Sequence, residues 1–152
     1  MGSSILHKQL VQEYISTERK RILIINHEYD VNFALKVVLE QEGQLRDSRS
    51  YFQVDSFNDS VLALNNFEKG FYDLLLIAVV MPQMNGFELA KEIRKIDDKV
   101  RICFLIAGEV PNKIRFEVPS SSGQEQGYLD RFIRLPIENK DLVEQIGRIV
   151  HP

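Results

Sequence analysis

Histidine and cysteine, the side chains most often used for metal ligation and nucleophilic or proton-transfer chemistry near neutral pH, are sparse and scattered in this chain of 152 residues. The three histidines are His7, His27 and His151, and the one cysteine is Cys103. A zinc site needs several converging nitrogen or sulfur ligands, yet two of these histidines stand at opposite ends of the chain. Cys103 lies between Ile102 and Phe104 in an apolar run, which reads as an inert core thiol rather than a nucleophile. His27 follows the run Ile22-Leu23-Ile24-Ile25 after one intervening residue, Asn26. Imidazole is the side chain that titrates near neutrality, so His27 is either a pH switch or, more plainly, a half-exposed polar residue. Glu28 and Asp30 add carboxylates, of which Asp30 is read as the cap of the following helix. No glycine-rich phosphate loop follows this run, and no motif places a nucleophile beside a base.

The elements that must position these residues alternate in type. Ile22–Ile25, Leu74–Ile77 and Ile102–Ile106 are continuous apolar runs, the signature of strands buried on both faces, with Leu74–Ile77 central. Tyr51–Phe57 alternates Phe52, Val54 and Ser56 against Gln53 and Asp55 as a further strand, and Phe132-Ile133-Arg134 is a short fifth. Between them, helices are expected over Asp30–Gln41 (Phe33, Ala34, Val37 and Val38 inward, Gly43 the stop), Ser60–Glu68 (capped by Asn58 or Asp59, closed by Gly70), Phe87–Ile96 (Leu89, Ile93 and Ile96 inward) and Asp141–Val150. Met81-Pro82-Gln83-Met84-Asn85-Gly86 is a turn, with Asn-Gly suited to positive φ. An amphipathic helix over Ile5–Arg19 precedes the first strand as an extension of residues 1–20, and residues 21–152 form the main domain. Ile114, Phe116 and Val118 alternate like a strand, and 119–127 reads as a flexible loop. Strands alternating with helices imply an α/β domain with a doubly wound parallel sheet and helices on both faces. Its functional crevice belongs at the carboxyl ends of the strands, where Asn26, His27, Ala78, Ile106 and Leu135 stand.

Composition narrows the setting. Hydrophobic residues at 44% exclude global disorder, and the net charge of −3 gives no reason to expect nucleic acid or an anionic membrane as partner. No apolar run has the length of a membrane span, and the lone cysteine fits a reducing cytoplasm.

Ile22–Asp30, then Asp73–Leu89 with its Met-Pro-x-Met-x-Gly turn, then Phe132-Ile-Arg-Leu-Pro-Ile137 together resemble the receiver domain of response regulators. The likeness runs from about Arg21 to Val150 and implies a flavodoxin-like, CheY-like sheet of five strands in the order 2-1-3-4-5. In that family an Asp pair follows strand one, an Asp ends strand three, a Thr or Ser ends strand four, and a Lys precedes the proline after strand five. The acids hold Mg²⁺, the strand-three Asp accepts a phosphoryl group, and the hydroxyl and Lys bind it. The matching positions here carry Asn26 and His27, Ala78, Ile106 and Leu135. Asn26 offers a neutral amide, imidazole prefers softer metals, and the other three supply no polar atom. The resemblance therefore implies a degenerate phosphorylation pocket, without Mg²⁺ or any other cofactor and without catalysis.

Two functions follow as expectations. One is a phosphorylation-independent signalling module that binds a protein: a histidine kinase, another regulator or itself. The alternative is a small-ligand or pH sensor built on the neutral crevice around His27. Phe132 occupies the family's aromatic switch position and is expected to keep one rotamer, Leu135-Pro136 is expected to be cis, and the candidate partner surface comprises Ile114, Phe116, Arg134 and Lys140.

Overall fold

Neither face of Ile22–Ile25 or Leu74–Ile77 is left to water, since every one of these side chains is fully buried. Only a sheet covered on both sides accommodates such runs. The computed structural model, which describes residues 6–8, 19–43, 51–115 and 131–152, supplies that arrangement. Strands β1 (Lys20–Ile25), β2 (Phe52–Phe57), β3 (Leu74–Ala78), β4 (Arg101–Ala107) and β5 (Phe132–Leu135) form one parallel sheet ordered β2-β1-β3-β4-β5. β3 is the middle strand, as its uninterrupted hydrophobicity requires.

Alternation along each strand divides the core into two layers. Ile22, Ile24, Leu74, Leu76, Cys103 and Leu105 pack beneath helices α1 (Tyr29–Val37) and α5 (Asn139–Val150). Leu23, Ile25, Leu75, Ile77, Phe104 and Ile106 pack on the other face, beneath α2 (Ser60–Asn66) and α3 (Gly86–Ile96). Register aligns the strand ends: Ile25 lies beside Ile77, Ala78 beside Leu105 and Ala107 beside Leu135.

Caps and close approaches hold the connections. Asp59 accepts from the Leu62 N–H at 2.8 Å and Asn85 from the Glu88 N–H at 2.9 Å, each satisfying a free donor of the first helical turn. Gly86 serves contact rather than dihedral freedom: a Cβ there would sit 2.3 Å from the Ala78 carbonyl oxygen. In that turn it is Gln83 that takes positive φ (69°), while Asn85 stays at −72°. Leu135-Pro136 is cis, as expected. The buried Asp97 carboxylate accepts the N–H groups of Gly70 (3.0 Å), Lys99 (2.9 Å) and Val100 (3.1 Å), so these donors hold its pKa below the ordinary carboxylate value.

Several expectations are corrected. The buried face of α1 is Asn32 and Leu35, continued by Leu39 in a π-helical turn (Val38–Glu42), whereas Phe33 is 58% exposed and stacks on the exposed Tyr29. Asp30 is not the cap; the N-cap is Glu28, which makes no side-chain capping bond, and Asp30 lies in the first turn. Gly43 is the C-cap of the π-helical turn, but with right-handed helical dihedrals rather than the left-handed ones for which glycine is favoured. Ser56 is exposed, and Ile96, at the last turn of α3, is 38% exposed. Ile114 belongs to a helical turn, α4 (Asn112–Arg115), not a strand. Phe116, Val118 and the expected loop lie outside the described residues, as does the N-terminal helix except for residues 6–8, which are helical and exposed.

Both outer strands are met by helix side chains. On β2, Glu40 Oε2 accepts from the Val54 N–H at 2.9 Å, and Lys36 Nζ donates to the Val54 carbonyl at 2.5 Å and to Glu40 at 3.1 Å. On β5, the buried Gln145 of α5 donates through Nε2 to the Phe132 carbonyl at 3.3 Å.

Candidate functional site

The sheet register gathers the ends of β1, β3, β4 and β5, and the backbone there is fully engaged. The Asn26 N–H donates to Phe57 O at 3.2 Å, the Val79 N–H to Leu105 O at 2.9 Å and the Gly86 N–H to Val79 O at 2.9 Å. Asn32 reaches down from α1 and donates through Nδ2 to the Asn26 carbonyl at 2.8 Å, tying the end of β1 to the helix above it. Its own Oδ1 is buried without a partner among the described residues. An amide on an inward helical face among aliphatic residues marks such a tie, a signal carried here by Asn32, Leu35 and Leu39 and masked by the more apolar Phe33 and Val37.

These strand ends enclose a cavity of about 240 Å³. Four of the five expected crevice residues, Asn26, His27, Ala78 and Leu135, line it together with Glu28, Val31, Val80, Leu105 and Ala107. The fifth, Ile106, does not. It is 2% exposed and points to the opposite face of the sheet, into the layer of Phe104 and Phe132, while its neighbours Leu105 and Ala107 face the cavity. Strand alternation imposes this: residues either side of Ile106 share a face that Ile106 cannot.

The chemistry available is limited. Asn26 is 7% exposed and Ala78 likewise 7%, so both floor the cavity, whereas His27 stands at its mouth with Nε2 3.8 Å from Glu28 Oε1. Among the described residues, no three His, Cys, Asp or Glu side chains group as a metal site. Mg²⁺ demands oxygen ligands in near-octahedral array, with one or two carboxylates at its centre. One amide oxygen, an imidazole, a methyl group and the single exposed carboxylate of Glu28 at the mouth fall short of that array. A phosphoryl group would meet no lysine, because Leu135 forms the wall where a cation would be needed.

Phe132 is 4% exposed and its ring lies 5.6 Å from Phe104 and 6.5 Å from Phe87, so it points inward within an aromatic cluster. Of the candidate partner surface, Arg134 and Lys140 are exposed, Ile114 is half-buried against the α3 layer, and Phe116 lies outside the described residues.

Comparison with known proteins places this geometry. The model of the response regulator receiver domain matches residues 22–118. The transcriptional regulatory protein CpxR homolog of Haemophilus influenzae is 27% identical over 130 residues, spanning 86% of this chain and 50% of that protein. The response regulator receiver protein CpdR of Brucella abortus is 26% identical over 131 residues, 86% of this chain and 97% of that protein. The non-phosphorylated HemR receiver domain from Leptospira biflexa has the same fold, with a TM-score of 0.64 at 24% identity over 88% of this chain and 95% of that one. This chain thus spans half the length of the first relative and nearly all of the second. No helix among the described residues is long and apolar enough to cross a membrane.

Proposed function

The chain belongs to the response regulator receiver family of two-component signalling, and from that premise we propose that it is a pseudo-receiver, a module that accepts no phosphoryl group and signals by binding a protein partner. The carrying observation is the strand-end cavity: Asn26, His27, Ala78 and Leu135 meet around it and supply neither a carboxylate nucleophile nor a lysine. Acyl phosphate formation needs the first, and charge compensation of the product needs the second. Loss of acids and lysine together is self-consistent, because three unpaired carboxylates a few ångströms apart would repel by roughly 4 kcal/mol for each pair at 4 Å. Ile106 and Leu135 extend the core where polar atoms would stand, and Phe132 remains packed inward with nothing polar at position 106 to draw it.

The partner is a histidine kinase, another regulator or a second copy of this chain, met through the exposed Arg134 and Lys140 beside α5. The test has two arms on the full chain. In the first, acetyl phosphate and Mg²⁺ are added and the intact mass is read; no phosphoryl adduct is expected. In the second, binding is measured to purified histidine kinases and receivers of the same organism, with and without ATP. Saturable binding indifferent to ATP supports the proposal, and a phosphoryl adduct on this chain or a tenfold ATP-dependent change in affinity overturns it.

A further inference from the structure

A second cavity, of about 540 Å³, adjoins the strand-end crevice between α1 and α5, and the two share Val31, Ala107 and Leu135 as walls. Its volume falls within the roughly 300–1,000 Å³ of small-molecule sites. Apart from Asp30 and Asn139 its lining is wholly apolar, with Ala34, Val38, Ile137 and Leu142 prominent. It stays open because Ala34 is small and Gly108 faces empty space, with nothing within 4 Å of where a Cβ would be.

The charged side chains lining the two adjoining cavities are of one sign: Asp30 lines the larger and Glu28 the smaller, and among the described residues no Lys or Arg lines either. Asp30 has no ion-pair partner among the described residues, and Glu28 has only the His27 imidazole at 3.8 Å. Leu135, at the junction, extends the apolar wall.

We propose that the larger cavity is a binding site for a small organic cation with an apolar body. The apolar part lies between α1 and α5 against Val38, Leu135 and Leu142, where burial removes hydrocarbon from water. The ammonium or guanidinium end lies at the mouth beside Asp30 and Glu28. The site shares Leu135 with the degenerate pocket, but its larger cavity and Asp30 take no part in the phosphorylation reading.

Octylammonium chloride below its micellar concentration is the probe, with octanoate as the matched anion, titrated into the full-length ¹⁵N-labelled protein. Octylammonium is expected to shift the amides of Ala34, Ala107 and Gly108 saturably, and octanoate to bind about fivefold more weakly, the upper range for a solvent-exposed ion pair. Leu135→Lys should weaken octylammonium. Asp30→Asn, at an exposed position, should narrow the difference between the two probes without unfolding the chain. Absence of saturable octylammonium binding, equal affinity for octanoate, or shifts confined to a separate groove lined by Phe87, Ala90, Arg94 and Phe132 would each overturn the proposal. So would a partner protein that protects these amides while octylammonium leaves them unmoved, since the cavity would then be a protein-docking groove.

Discussion

Returning a carboxylate to position 78 tests the site's electrostatics directly. Ala78 ends the central strand at 7% exposure, facing Leu105 across the register. The nearby N–H groups of Val79 and Gly86 are already bonded to Leu105 O and Val79 O, so neither is available to a new acid. No lysine faces it, because Leu135 forms that wall. Desolvation without donors raises the pKa of a carboxyl group. A rise from about 3.9 in the unfolded chain to about 6 in Ala78→Asp corresponds to about 2.9 kcal/mol of lost stability at pH 7.5, from 1.36 kcal/mol per pH decade. The sign follows from linkage: the folded state holds the proton more tightly, so the loss is complete above the folded pKa, falls to about 1.5 kcal/mol at pH 5 and about 0.5 kcal/mol at pH 4, and vanishes below about pH 3. Urea unfolding of parent and variant at pH 7.5 and pH 5 measures both numbers. Adding Leu135→Lys should recover half the loss or more at pH 7.5 and little at pH 4. Acetyl phosphate should not label Ala78→Asp, which still lacks its metal-binding acids. Equal stability of parent and variant at both pH values, or a rise in Tm of Ala78→Asp with Mg²⁺, would refute the account of the crevice as a place without charge compensation.

Other outcomes follow from single contacts. Asp97→Ala strips three backbone N–H groups of their acceptor and should cost about 3–5 kcal/mol in urea unfolding; because the native carboxylate is held below the usual value, chiefly by the Gly70 N–H and then that of Lys99, its contribution is full above about pH 4 and fades as pH falls below it. A smaller loss at pH 7 than at pH 2.5 would contradict this. Gly86→Ala drives a methyl against the Ala78 carbonyl at 2.3 Å and should cost about 2–4 kcal/mol, and a loss under about 0.5 kcal/mol would show that the turn yields. Lys36→Ala with Glu40→Ala uncovers Val54 and should raise self-association on sedimentation, whereas an unchanged monomer fraction would show the pair to be dispensable.

The fold was legible where burial leaves no choice. The runs at Ile22–Ile25 and Leu74–Ile77 admit one reading, and caps such as Asp59 announce themselves by type and place. Helix α1 was misread because it carries two apolar stripes; Val31, Leu35 and Leu39 cover the sheet and its crevice, while Phe33 is left to solvent with Tyr29. At the site, residue identities were readable but side-chain direction was not. Ile106 occupies the position the family pattern indicates, yet alternation turns it into the far layer and gives its place on the cavity wall to Ala107. The Asn32 tie and the Asp97–Gly70 bond are not legible in the sequence because their partners are backbone groups 6, 25 or 27 residues away, which carry no side-chain signal, whereas the Asp97 bonds to Lys99 and Val100 are a local turn.

The treatment of the two outer strands limits how this molecule can meet others. A parallel sheet of five strands ordinarily offers two rims of open amide and carbonyl groups, each an invitation to strand exchange or filament growth. Here Lys36 and Glu40 occupy one rim at Val54 and Gln145 the other at Phe132, so backbone zippering is blocked at the middle of β2 and at the start of β5. Recognition is thereby channelled to helical flanks and strand-end hollows, where side-chain identity rather than generic peptide geometry decides what binds.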